Sequence, residues 1–192
     1  RTGSFDYIAY YVLPSISYTS REIENIKNIN ALGLNKTKIN IIESDLLSVA
    51  AINRHASGFI PYRNFIFMFL SVLIYPDVDK IYIGQILEWQ VDKNKQFYRW
   101  FEHFIFLHSG RRIKIIAPFS KKTKSEVVSY FLADYSFLEL IKNTYSCLQQ
   151  GDIHCGTCSS CVNRYVAFKN NGIVEPMQNI PSWGKWKNYV RG

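Results

Sequence analysis

The chain has 192 residues, 47% of them apolar and 20% charged, enough apolar material for one ordinary domain with its own core, and this excludes a disordered chain. Its longest apolar run, Phe65 to Tyr75, is 11 residues with one Ser, where a membrane span needs about 18, so it reads as a buried helix. Lys and Arg number 23 against 15 Asp and Glu, a net +8 that fits either a nucleic-acid or nucleotide partner or a basic solvated surface.

In chain order, Tyr7 to Leu13 reads as a buried aromatic strand bounded by Pro14. Thr19-x-x-Glu22 is a capping-box pattern that starts a helix near Ser20, with Ile23, Ile26 and Ile29 as its apolar stripe and Gly33 as its C-cap. Lys38 to Glu43 is a second strand, and Leu46 to Asn53 a short helix or turn. The apolar helix from about Arg63 to Tyr75 stops at Pro76. Lys80 to Gly84 is a third strand, Lys93 to His108 an aromatic helix closed by Gly110, and Arg112 to Pro118 a fourth strand. Helices over Thr123 to Leu132 and Ser136 to Lys142 follow, and Asn163 to Lys169 forms a last one. Strands alternating with helices of this length predict a parallel α/β sheet, in which ligands bind at the carboxyl ends of the strands. Arg1-Thr-Gly-Ser runs into a strand and not into a secretory leader, so a cytoplasmic location is expected.

All four cysteines fall within fifteen residues, Cys147, Cys155, Cys158 and Cys161, spaced C-x7-C-x2-C-x2-C. A cluster this tight suits one tetrahedral ion, and four thiolates make a closed, structural zinc site. An iron–sulfur cluster, two disulfides or free thiols remain as alternatives. Gly156 provides the backbone freedom of a knuckle turn, and His154 reads as an exposed loop histidine ahead of a substitute ligand.

Three polar segments are candidates for chemistry. Arg63 and Asn64, behind Pro61, lie at a helix start, where backbone N–H groups favour an anion or nucleotide; an ordinary capping cluster is the competing reading. Gly84 ends a strand where a ligand can approach the backbone, with Glu88 and Asp92 beyond it to meet a polar base or magnesium, or simply solvent. Lys124 follows the fourth strand and enters a helix, as a point charge for phosphate or part of a basic surface loop.

These pieces in this order resemble the 7-cyano-7-deazaguanine synthase family of the queuosine pathway. Thr144-Tyr-Ser-Cys147, then Cys155-Gly-Thr-Cys158-Ser-Ser-Cys161, Arg164 and Ala167-Phe168 are similar to its T-x-S-C … C-G-x-C-x-x-C-x-x-R-x-x-A-F segment. Ile60-Pro-Tyr-Arg63-Asn64 resembles V-P-G-R-N, with Tyr62 in place of the glycine. Pro118, Lys124 and Glu126 match P-x5-K-x-E, and Ile83-Gly84 closes the strand before the substrate loop. The resemblance implies a Rossmann-like fold of the adenine nucleotide alpha hydrolase type with a small zinc knuckle. It also implies ATP-dependent conversion of 7-carboxy-7-deazaguanine and ammonia to the nitrile, with structural zinc and with magnesium on the phosphates. Carried over, the four cysteines hold zinc, Arg63, Asn64 and Lys124 line the nucleotide and substrate site, and Glu88 or Asp92 contacts the deazapurine or a metal.

Two departures bear on activity. The family's first strand and its S-G-G-x-D-S loop have no counterpart here; the strand at Tyr7 aligns with the family's second, which puts that loop upstream of Arg1. The substrate loop reads Trp89-Gln-Val-Asp92-Lys-Asn94-Lys95 where the family has Y-P-D-C. An active ligase, a non-catalytic relative serving as a binding or structural subunit, and an ATP-pyrophosphatase acting on another carboxylate or a macromolecule are the competing functions. The expected layout is an α/β nucleotide-hydrolase-like domain over 1–143, the cysteine segment and its helix over 144–170, and a tail over 171–192. A homodimer or protein partner is compatible with this layout; no membrane is involved, and nucleic acid stays open.

Overall fold

The computed structural model describes residues 6–12, 18–33, 37–44, 46, 60–87, 94–133, 137–149 and 151–181. Residues 47–53 of the turn read from Leu46, residues 88–93 of the substrate-loop region, with Glu88 and Asp92, and residues 182–192 of the tail therefore lie outside the described residues. The chain divides into two compact units, Arg1–Glu43 with Thr123–Gly192, and Ser44–Lys122.

In the first unit, β1 (Ile8–Val12) pairs in parallel with β2 (Ile39–Glu43), from Ile8 opposite Ile39 to Val12 opposite Glu43. Helix α1 (Thr19–Ala31) makes the crossover that a parallel pair requires. Its start differs from the capping-box reading. Tyr18 occupies the cap position and its side chain does not cap the helix, Thr19 lies inside the helix, and Glu22 accepts the Tyr10 hydroxyl of β1 at 3.0 Å. Burial and the Glu22 charge both push the Tyr10 hydroxyl above its ordinary pKa. The far end follows expectation, with Gly33 left-handed at φ 64°. Asn30 then bonds both backbone groups of Ile39, donating to its carbonyl at 2.9 Å and accepting its N–H at 2.8 Å. One side-chain amide thus fixes the end of α1 to the first residue of β2.

Helices α4 (Lys124–Leu132), α5 (Phe137–Lys142) and α6 (Ser159–Lys169) complete this unit. They share a core of Val128, Ile141, Ala167 and Phe168.

In the second unit, α2 (Arg63–Ile74) leads into β3 (Lys80–Tyr82), and α3 (Lys95–Ser109) connects β3 to its parallel neighbour β4 (Lys114–Ile116). Asn94 caps α3 by accepting the Phe97 N–H at 2.9 Å, and Gly110 ends it at φ 71°. Tyr98, Phe101 and Ile105, spaced three and four apart, turn one face of α3 onto Met68 and Val72 of α2 and Ile113 and Ile115. Arg111 donates to the carbonyls of Val72 and Val78 at 3.3 and 3.1 Å. Among the described residues no helix is long and apolar enough to cross a membrane.

Candidate functional site

The four cysteine sulfurs come together, all within 4.8 Å of one another, with Cys147, Cys155 and Cys161 buried. A tetrahedral ion with arms of about 2.3 Å sets its sulfurs about 3.8 Å apart. The Cys155 and Cys161 sulfurs stand at 3.8 Å. A disulfide needs about 2.05 Å, and all four cysteines are free. The cluster is therefore sized for one metal ion.

Local sequence makes this geometry. The Cys155–Cys158 knuckle turns back on Cys155, whose sulfur accepts the N–H groups of Thr157 and Cys158 and the Thr157 hydroxyl, each at 3.4 Å. Cys158 is both a sulfur of the cluster and the N-cap of α6, accepting the Cys161 N–H at 3.4 Å. That cap starts the helix at Ser159, four residues before the sequence places it. Gly156 is required twice over, because its φ is 73° and because a Cβ there would sit 1.6 Å from the carbonyl oxygen of Asn179. The segment pressed against it is held by Gln178 N–H donating to His154 O at 2.9 Å and Asn179 Nδ2 donating to Cys155 O at 3.0 Å.

The sulfurs do not ionise alike. Burial raises the Cys155 thiol, but the donors of Thr157 and Cys158 outweigh it and bring the pKa to about 6. Cys161 has no such set of donors, and burial pushes its thiol well above the ordinary range. His154 replaces none of the sulfurs, and it is buried, contrary to the exposed loop position expected of it, because the backbone of Ser146 and the Glu175 side chain enclose it. Its Nε2 accepts the Ser146 N–H at 3.2 Å, and Nδ1 faces Glu175 at 4.0 Å. Burial and the nearby Arg164 charge lower its pKa and hold it neutral at pH 7.

Behind the sulfurs lies a lock in which Arg164, Thr144 and Phe168 were visible as part of a motif, while Glu175 carried no signal in the sequence. Arg164, 3% exposed, donates Nε and Nη2 to the two carboxylate oxygens of Glu175 at 2.6 Å each. Its Nη1 donates to the Thr144 hydroxyl at 2.6 Å, and its guanidinium lies 4.2 Å over the Phe168 ring. Thr144 in turn donates to Ile141 O at 2.7 Å. The end of α5, the entry to Cys147, α6 and residue 175 are thereby held by one cation.

The other sequence candidates distribute between the units. Arg63 and Asn64 occupy the first turn of α2 in the second unit, as expected. Asn64 Nδ2 is buried with no hydrogen-bond partner among the described residues. Tyr62, just before them, has φ 60°, the left-handed region that a glycine adopts without penalty. Its side chain points to solvent, 75% exposed. Gly84 follows β3, and a Cβ built there would meet nothing within 4 Å. Gln85, next in line, is buried and accepts the Tyr98 hydroxyl. Lys124 opens α4 in the first unit. There Glu126 is engaged in a reciprocal capping box with Thr123, accepting its N–H at 2.7 Å. The T-x-x-E signature at 123–126 announces that cap in the sequence.

A family model described as queuosine biosynthesis protein QueC matches residues 10–172. Similar proteins include the 7-cyano-7-deazaguanine synthase of Methanococcus maripaludis, 34% identical over 112 residues, which are 54% of this chain and 48% of the relative. That of Methanococcus vannielii is 31% identical over 134 residues, 65% of this chain and 58% of the relative. That of Methanococcus aeolicus is 30% identical over 131 residues, 63% and 56% of the two chains. The chain spans about half the length of the relatives it matches. It belongs to the QueC family.

Proposed function

We propose that this chain is part of a 7-cyano-7-deazaguanine synthase, a Rossmann-like ATP-dependent enzyme with a structural zinc. The four-sulfur centre supports this reading: its spacing, its knuckle glycine and the buried Arg164 with Thr144 belong to the segment that resembles the family's cysteine motif. Four thiolates fill a tetrahedral ion and leave no open position, so zinc here holds the loop and activates no water. The thiolate already favoured at Cys155 fits such an ion.

In the proposed reaction a carboxylate oxygen of 7-carboxy-7-deazaguanine attacks the α-phosphorus of ATP and pyrophosphate leaves. Ammonia displaces AMP from the acyl adenylate to give the amide. A second ATP adenylates the amide oxygen; loss of the last N–H proton as AMP departs leaves the nitrile. The protein's part is positioning and charge stabilisation. Arg63 and Asn64, at the N-terminus of α2, offer a cation and an amide donor with no partner among the described residues to phosphate or carboxylate oxygens. Lys124, at the N-terminus of α4, offers a point charge to phosphate. Gly84 leaves room for the flat deazapurine beside the end of β3; Glu88 or Asp92, outside the described residues, would contact it or a magnesium ion that offsets phosphate charge.

The exposed aromatic ring at Tyr62 favours a second reading, in which the entry to α2 accepts a different carboxylate or a macromolecule. Assay of the complete protein with ATP, ammonia and 7-carboxy-7-deazaguanine separates the two. The first reading expects AMP and the nitrile together, and absence of the nitrile removes it. Gly84→Ala should leave the unfolding curve unchanged, because the added methyl meets nothing, and should raise KM for the deazapurine.

A further inference from the structure

A cleft of about 330 Å³ in the first unit is lined jointly by α1, by the segments around the cysteine knuckle and by residues 173–176. That volume lies at the small end of what small-molecule sites enclose. Phe168, Ile173, Val174 and Pro176 give it apolar surface. None of Arg63, Asn64, Gly84 or Lys124, assigned above to the reaction, lines it.

The polar groups of the cleft are donors with capacity to spare. Arg21 of α1 donates Nη1 to Glu24 at 2.9 Å and reaches the Asp152 carbonyl with Nη2 at 3.5 Å. Its Nε is buried with no hydrogen-bond partner among the described residues. A buried guanidinium N–H without an acceptor is costly, and native structures set an acceptor, a water or an ion against such a group. His154 adds a second donor. Its Nε2 accepts the Ser146 N–H, which leaves the ring proton on Nδ1, and Nδ1 stands 4.0 Å from Glu175, beyond hydrogen-bond reach. Lys142 adds a third, held at 3.0 Å by Glu139 in an exposed pair that is easily opened. Two carboxylates also line the cleft. Both oxygens of Glu175 already accept from Arg164 at 2.6 Å, and Asp152 is 96% exposed. One added negative charge therefore meets Arg21 and Lys142, whereas a doubly charged group adds repulsion from Asp152 and Glu175.

We propose that this cleft binds a small monocarboxylate with an apolar or aromatic body, the carboxylate taking the Nε–H of Arg21 with His154 and Lys142 as further donors, and the body lying on Phe168, Ile173, Val174 and Pro176. The site is independent of the reaction proposed above. Benzoate is the probe, with phenyl phosphate, benzamide and benzylamine as comparators, titrated into the complete protein at neutral pH, where phenyl phosphate is mostly doubly charged. Calorimetry and the arginine Nε–H resonances follow binding. Benzoate should bind with a dissociation constant of roughly 1 mM and move the Arg21 Nε–H signal. Benzamide and phenyl phosphate should bind at least ~10-fold more weakly, and benzylamine should not bind. Arg21→Gln should weaken benzoate at least ~10-fold, and Arg21→Lys, which keeps the charge and lacks the Nε–H, should not restore it. Lys142→Gln, at a half-exposed residue that leaves the fold intact, should weaken it about 3-fold, with circular dichroism and the unfolding midpoint as the check on every variant. No saturable binding up to about 20 mM, benzoate held as tightly by folded Arg21→Gln and Lys142→Gln, or phenyl phosphate as the tighter ligand overturns the proposal.

Discussion

Gly156→Ala tests the knuckle most directly. Two effects add. An L-residue in the left-handed region costs about 1–2 kcal/mol. The new methyl also falls 1.6 Å from Asn179 O and 2.7 Å from its carbonyl carbon, both backbone atoms that cannot swing aside. The 177–179 segment must move away, which breaks the bonds from Gln178 N–H to His154 and from Asn179 Nδ2 to Cys155. At about 1 kcal/mol each these add about 2, for a total of about 3–4 kcal/mol. Gly33→Ala is the matched control, because it has φ 64° and nothing within 4 Å of the added methyl; it should cost only the first part, about 1–2 kcal/mol. Urea unfolding of the zinc-loaded protein reads both, and a chelator competition reads metal retention. A Gly156→Ala loss no larger than that of Gly33→Ala, with zinc held as tightly, would refute the close approach of the 177–179 segment.

Arg164→Gln should destabilise by about 3–5 kcal/mol, because it leaves Glu175 as a mostly buried carboxylate without its partner; an unchanged denaturant midpoint would contradict the lock. Tyr62→Gly should stabilise by about 0.5–1 kcal/mol, the relief of a left-handed residue less the freedom glycine adds to the unfolded chain. A fall in stability would mean the exposed ring contributes more than its backbone costs. Zinc uptake at pH 7.5 should release fewer than four protons, since Cys155, with a pKa of about 6, is already a thiolate there. Cys161 must still give up its proton on binding, so uptake should weaken as the pH falls. Calorimetry in buffers of different ionisation enthalpy counts the protons, and a count of four would show that Cys155 is an ordinary thiol.

Much of the local structure was legible because its signals lie within a few residues of each other. Apolar spacing marked α2 and α3, Gly33 and Gly110 marked helix ends, and the aromatic and β-branched runs marked the four strands among the described residues. The cysteine spacing announced a cluster able to share one ion before any fold was known, because two-residue gaps let neighbouring thiolates reach one centre. The capping pattern at Thr19 misled, since a capping box requires the threonine to stay outside the helix, and here the helix begins on it. Glu22 instead meets Tyr10, a partner twelve residues back that no helical pattern reveals.

Sequence by itself therefore determined the alternation of strands and helices, the helix-start position of Arg63 and Asn64, and the identity of the four sulfurs. Each depends on short-range periodicity or spacing, which survives without knowledge of neighbours. Only the tertiary structure decided that Arg164 grips Glu175 and Thr144, that Arg111 serves carbonyls of another segment, and that Asn179 forbids any side chain at residue 156. Those facts join residues 11 to 39 positions apart, and a partner at that distance is chosen by packing, which no local pattern encodes.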